Sequence, residues 1–412
     1  MANKIAGGIG KPYYFTEADE KVIYPAINDK IDCEILIVGG GLTGLFTAYY
    51  LNKEGKDVCL VEKGVIGGGQ TKYLPPIIRY DADKNLVNLR EEFGHDNALW
   101  LYRRFRQSLE EIEEIVKEVS SECGFKKRDC FYFTDKTGSH SKIEEEYRLR
   151  KYGGFDVECI EKHEALDMFS FPVEKGIYSQ ELAAEINPVK FAKDFAAYLS
   201  VHGVQIYEES EVKTVIEKDE GGYMGETVDG FTINAQAICD CRGHELINRY
   251  KSLGKLKTAF TTWSRTVQSF PGWTNRCSLK DDYCSPLFLS VTANDRIMIS
   301  GFDSKILKPD ASLLGLNLNF WIKSKYETLQ QQAVDMFFGL DDLSFSHSCC
   351  GVYIDTRDGL PVAGEDRHRK GFYYACCGNK NNIIYSTIVA QIICGEYIKQ
   401  PLEKALLFDL KR

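Results

Sequence analysis

The 412-residue chain is 44% hydrophobic and carries a formal net charge of −9, which supports a sizeable core in two or three lobes and gives no general attraction to phosphate backbones. Nucleic acid is therefore not an expected partner. No stretch approaches the roughly 18 unbroken apolar residues that cross a membrane, so no integral span is expected. Fourteen cysteines are spread along the chain with no C-x-x-C pair, and are expected as reduced, packed thiols of a cytoplasmic protein rather than as a disulfide scaffold.

Residues 1–32 mix charged residues, proline and tyrosine without an apolar run, and do not read as a signal peptide. The first strong element follows. Ile35-Leu36-Ile37-Val38 is a β-branched apolar run of the kind buried on both faces of a parallel sheet. Leu45, Ala48, Tyr49 and Leu51 then recur at helical spacing, Gly55 marks the helix end, and Val58 to Val61 predicts a second strand. The turn between strand and helix, Gly39-Gly40-Gly41-Leu42-Thr43-Gly44, matches G-x-G-x-x-G. Gly39 permits the tight turn, Gly41 admits a pyrophosphate to the backbone, and Gly44 lets helix and strand pack closely. Glu62 closes the second strand, where a carboxylate accepts hydrogen bonds from a ribose hydroxyl. Strand, glycines, helix, strand and acid in this register predict a dinucleotide-binding βαβ unit.

A second glycine cluster, Gly67-Gly68-Gly69, leads into Gln70 and Thr71. A charged helix follows with an apolar stripe at Leu109, Ile112, Ile115 and Val116. Near the C-terminus, Phe372 to Ala375 predicts a buried strand and Ile383 to Ile398 an apolar helix with Asn382 at its N-cap. The seven histidines are isolated, without the spacing of a metal site.

On the opening motif, "CGFKKRDCFYF", "GVQIYEESEVKTV", "DTRDGLPVAG" and "GFYYACCGNKNNIIYSTIVAQII", the chain resembles the D-amino-acid-oxidase-like (DAO) superfamily of FAD-dependent oxidoreductases. The resemblance is strongest to a bacterial amine or amino-acid oxidoreductase-like branch, in a form without the Rieske domain that some members carry. It implies an α/β fold with an α+β insertion. A Rossmann-like FAD-binding lobe would be assembled from 1–115, 175–250 and 340–412, interleaved with a mostly antiparallel substrate lobe from 116–174 and 251–339.

The same resemblance implies FAD contacts at Gly39, Gly41, Leu42, Thr43, Gly44, Glu62 and Lys63, and along Gly69, Gln70 and Thr71. Val212 is implied at the adenine, Gly243 at the dinucleotide, and Gly359, Pro361, Lys380, Asn381, Asn382 and Ile383 beneath the ring. A helix starting near Asn382 would aim its positive end at the flavin C2 carbonyl. Lys380 is a candidate cation beside N1/C2 or a solvent-exposed loop lysine. Arg357 is a candidate clamp for a substrate carboxylate or a turn residue paired with Asp355 or Asp358. Tyr73 is a candidate ring-lining residue or an ordinary loop aromatic.

The chain departs from the family pattern at Cys241-Arg242, at Lys72-Tyr73-Leu74 with Pro75-Pro76, and at Asn381-Asn382. Arg242 is expected at the surface in preference to a phosphate contact. The expected function is hydride transfer from a small amine or amino acid to flavin N5, with electrons passed on to oxygen or another acceptor. A hydroxy acid is a further possible donor. The alternative is an FAD-binding scaffold or partner subunit with degenerate catalysis. An NAD-dependent dehydrogenase has no general need for the Gly67–Thr71 segment.

Overall fold

The computed structural model describes residues 8–16, 24–81, 83–283, 286–305, 316–337, 343–378 and 382–412. At its centre the strand Ile31–Val38 pairs in parallel with Val58–Val61 on one side and Thr232–Asp240 on the other. Gln205–Tyr207 and Phe372–Cys376 extend the parallel order at the two ends. Val362–Glu365 adds an antiparallel edge, and a meander of Val212–Glu217 and Tyr223–Thr227 joins through Thr232–Asp240, giving an eight-stranded sheet among the described residues. Ile35, Leu36 and Ile37 are wholly buried, as the unbroken apolar run requires of a strand covered on both faces.

The helix Leu42–Lys53 returns across this sheet and ends before Gly55, whose φ of +71° suits glycine. Phe46 packs against Phe191 and Phe195 of the helix Pro188–Val201. On its other flank lies the C-terminal helix Asn382–Tyr397, whose Ile384, Ile388, Val389, Ile392 and Ile393 are wholly buried. The long helix His95–Glu118 buries the expected stripe of Leu109, Ile112, Ile115 and Val116.

A second sheet, ten-stranded among the described residues, runs in the order Gly8–Gly10, Phe345–Thr356, Gly254–Thr266, Arg296–Lys305, Phe288–Val291, Ser278–Asp281, Lys126–Thr134, Lys175–Glu185 and Ile77–Arg79, with Val157–Glu161 also paired to Lys175–Glu185. Its pairings are antiparallel except that of Ser278–Asp281 with Lys126–Thr134. Strands of the two sheets alternate along the chain. Gly8–Gly10 and Ile77–Arg79 fall within 1–115, Lys175–Glu185 within 175–250, and Phe345–Thr356 within 340–412, yet all four strands belong to the antiparallel sheet. Backbone pairing decides this: Tyr178 is in register with Phe131, and Gly351 with both Gly8 and Ala259.

Among the described residues no helix is long and apolar enough to cross a membrane, and the cysteines form no disulfide.

Candidate active site

The turn from Val38 into the helix opens on a cleft of about 580 Å³ that runs between the two sheets. Gly39 has a φ of +117°, and a Cβ there would lie 2.7 Å from the Cys241 carbonyl oxygen. Gly41 is the N-cap, so no side chain caps the helix. The first-turn N–H groups have no intrahelical partner and carry the positive end of the helix dipole. Leu42 donates its N–H to Thr71 Oγ1 at 3.3 Å, which fixes the glycine-rich segment against the phosphate turn. Gly44 does not line the cleft. A Cβ at Gly44 would stand 2.0 Å from the Gly39 carbonyl oxygen, so this glycine sets the approach of helix to strand.

At one end Glu62 is nearly buried, with Oε2 accepting from Gly40 N at 2.7 Å and Oε1 from Gly64 N at 3.0 Å. Burial pushes its carboxyl up, against the two backbone donors that pull it down. Two lone pairs of the carboxylate are thereby used and two remain for a ribose diol. Ser210, Glu211 and Val212 complete this end. Lys63 forms an ion pair with Glu245.

Arg242 also lines the cleft and is gripped by Asp240 through Nε at 2.9 Å and Nη2 at 2.6 Å. The expected surface placement is corrected on this point: Asp240 ends its strand with a carboxylate only 1% exposed, which the guanidinium neutralises.

At the other end stand Gly8, Lys72, Tyr73 and Cys377. Gln70 donates to the Val352 carbonyl at 2.5 Å and so ties the glycine-rich segment to the antiparallel lobe. Thr43 Oγ1 lies 3.1 Å from Cys377 Sγ and 3.0 Å from Ser386 Oγ, linking the phosphate turn to the C-terminal helix. Tyr73 packs against Gly8 and Gly351, where an added Cβ would approach to 2.8 and 2.7 Å. Tyr13, Trp263, Phe288, Met298 and Cys349 form the apolar cluster on which Tyr73 rests.

A dinucleotide fits this donor set. The cleft is lined by the Glu62 carboxylate, the glycine turn at the helix N-terminus and the aromatic Tyr73. Gly69 has open space where its Cβ would be. Of the residues singled out in the sequence, Gly39, Gly41, Leu42, Thr43, Glu62, Lys63, Gly69, Gln70, Thr71, Tyr73, Val212 and Gly243 line it.

Other expected residues lie elsewhere. Arg357 is exposed in the turn after Phe345–Thr356 and is not among the lining residues. The carboxylates considered for it are engaged by other cations, Asp355 by Lys257 at 2.7 Å and Asp358 by Arg412 at 2.5 Å. Gly359, at φ +77°, faces Lys84. Pro361 and Ile383 are buried outside the lining. Lys380 and Asn381 lie outside the described residues, and Asn382 is described only as the first residue of its helix. Sequence reasoning did not place Gly8, Cys377, Ser210 or Glu211 in the site. The last two could have been read from their position just before Val212.

Comparison with known proteins agrees with this geometry. The family model described as FAD dependent oxidoreductase (DAO) matches residues 34–395. The chain is 25% identical over 213 residues to YhfW of Bacillus subtilis, whose name calls it a Rieske 2Fe-2S iron-sulfur protein, covering 51% of this chain and 40% of that one. It is 24% identical over 208 residues to gamma-glutamylputrescine oxidoreductase of Escherichia coli, covering 49% and 48%. The chain thus spans about half the length or less of these curated relatives. Glycine oxidase of Geobacillus kaustophilus is 21% identical over 379 residues, covering 87% of this chain and 91% of that protein. Its crystal structure superposes with a TM-score of 0.77 at 17% identity over 93% of this chain and 99% of that one.

Proposed function

The chain belongs to the DAO family of FAD-dependent oxidoreductases, and on that premise we propose that it oxidises a small amino acid or amine and passes the electrons to oxygen or another acceptor. The single observation that carries this reading is the cleft that joins the glycine turn and Glu62 to Tyr73, which packs against Gly8 and Gly351 of the antiparallel sheet. A dinucleotide bound there would have its ring end beside Tyr73 and Gly8, next to the antiparallel sheet. Relatives named for glycine and gamma-glutamylputrescine support a substrate among the amino acids and amines.

FAD supplies the hydride acceptor, flavin N5, and this chemistry needs few side chains for bond breaking. The protein's own contribution is placement. Glu62 and the open first turn of Leu42–Lys53 would hold the adenosine and pyrophosphate, Gln70 and Thr71 fasten the glycine-rich segment to Val352 and to the phosphate turn, and Tyr73 would shield the ring end from water. The described cysteines are free thiols, which supports a reducing compartment such as the cytoplasm. A degenerate scaffold would retain the cleft without the turnover.

The test is anaerobic. FAD-loaded protein is mixed with a panel of amino acids and amines while the oxidised flavin band is followed. At least one compound is expected to bleach it, and an admitted acceptor to restore it. A broad panel that leaves the bound flavin oxidised contradicts the proposal and favours the scaffold.

A further inference from the structure

We propose that the segment Gly8–Thr16 is a latch on the cleft, with Tyr13 as its catch, and that its detachment sets the rate at which FAD leaves. The inference rests on the cleft as the FAD site and is independent of what the enzyme oxidises.

All four residues of the 3₁₀ turn Gln70–Tyr73 line the cleft, as does Gly8. The second half of this turn is held by the segment. Tyr73 packs against Gly8, where an added Cβ would come within 2.8 Å of its ring, and the Lys72 ammonium lies 4.6 Å from the centroid of the Phe15 ring. The segment also joins the two lobes. Gly8–Gly10 is an edge strand of the antiparallel sheet, paired with Phe345–Thr356. The helix Tyr13–Thr16 touches the helix Pro188–Val201, which packs on the helix that follows the glycine turn. Lifting the segment takes Gly8 out of the cleft wall and strips Lys72 and Tyr73 of these contacts. It precedes residue 34, where the family match begins.

A three-residue strand with glycine at both ends and a four-residue helix are too short to persist alone. Tyr13 supplies the anchor. It is buried, and its hydroxyl accepts from Asn294 Nδ2 at 3.0 Å. Its ring meets that of His347 edge-on at 5.2 Å between centroids, and the Arg296 guanidinium carbon stands 4.9 Å from its centroid. One feature of this seat favours opening. Trp263 is buried with its ring centroid 6.3 Å from that of Tyr13, and its Nε1–H has no hydrogen-bond partner among the described residues. Such a donor bears its desolvation cost for as long as the seat is filled and regains water when Tyr13 withdraws. The segment is therefore a unit that opens locally, at a lower cost than the sheet on which it lies.

Two variants act on the latch in opposite directions, and neither needs turnover to be read. Ile9 is in register with Cys350 and packs on the same apolar cluster, so Ile9→Cys sets a thiol opposite a native one. Diamide takes two electrons and two protons from that pair and closes a disulfide that ties the strand down, which peptide mass analysis locates. Tyr13→Ala removes the catch. Bound FAD is exchanged for an excess of roseoflavin adenine dinucleotide, an analogue with a red-shifted band, and the release rate is read from the absorbance change. We expect oxidised Ile9→Cys protein to release FAD at least about tenfold more slowly than the same protein reduced with dithiothreitol, and Tyr13→Ala at least about tenfold faster than wild type. Diamide should leave the wild-type rate unchanged. Should Tyr13→Ala fail to fold, the disulfide decides alone. An unchanged rate in the locked protein overturns the proposal, as does an unchanged rate in folded Tyr13→Ala. Faster release from Tyr13→Ala without slowing by the lock would be a general loosening of the fold and overturns it too.

Discussion

Gly41 and Gly44 are three residues apart and answer different constraints, so their substitutions should fail in different ways. A Cβ at Gly41 has only Thr71 Oγ1 nearby, at 3.3 Å, and otherwise faces the cleft. Gly41→Val should fold and lose FAD affinity by more than about 100-fold, because the branched side chain fills the space of the pyrophosphate. Titration of the refolded apoprotein with FAD checks this, and wild-type affinity would contradict it. At Gly44 the obstacle is the Gly39 carbonyl oxygen at 2.0 Å, which is backbone and cannot swing away. Gly44→Ala should cost at least about 1–3 kcal/mol of stability, seen as a lower denaturation midpoint of the apoprotein. An unchanged midpoint would mean that helix and strand are not in the contact described here. Both roles were legible in the sequence because the βαβ register is local. The setting of Lys72 was not: its Nζ lies 4.6 Å from the centroid of the Phe15 ring, a residue far earlier in the chain, and nothing between them signals the approach.

At the scale of elements, the segment Ile77–Asp81, the helix His140–Tyr152 and the strand Ser278–Asp281 are joined by buried charge. Arg79 donates to Asp81 at 2.8 and 3.0 Å. Arg150 donates to Glu146 at 2.8 Å and to the Tyr80 hydroxyl at 2.8 Å, and Lys280 donates to the Asp81 carbonyl at 3.0 Å. Glu146 also accepts from the N–H groups of Leu86 and Val87 at 2.9 and 2.8 Å, at the start of the helix Leu86–Phe93. Burial opposes ionisation of Asp81, but Arg79, Lys280 and Arg150 together outweigh it and hold its carboxyl well below the ordinary 3.8.

A carboxyl depressed in the folded state stabilises above its unfolded value and loses that contribution as pH falls through the folded one. Asp81→Asn should therefore cost about 3–5 kcal/mol at neutral pH, since it leaves buried guanidinium groups short of an anion. The deficit against wild type should narrow under acid. Denaturant titrations at pH 7 and pH 3 measure both, and an equal deficit at the two values would remove Asp81 from the account. In the sequence this network reads as an ordinary charged helix, because "EEEYRLRKY" gives no sign that Glu146 and Arg150 turn inward.

Across the whole molecule, what the sequence made legible was what lies close in the chain: the glycine turn, the acid that closes its second strand, and the C-terminal helix. The lobe boundaries were less so. Lys175–Glu185 and Phe345–Thr356 sit beside motifs of the cofactor lobe in sequence, while their hydrogen-bond partners lie far away in the chain and place them in the other sheet. Resemblance to a family supplied the interleaving, but only backbone pairing shows which strands cross over. The central claim is that the cleft between the sheets is built for an adenine dinucleotide, with Glu62 at the ribose. The measurement that tests it most directly is spectral titration of the apoprotein with FAD and, separately, with FMN, which shares the ring and lacks the adenosine. The account predicts one FAD bound per chain and FMN weaker by at least about 100-fold. Equal affinity for the two, or no binding of FAD, would contradict it.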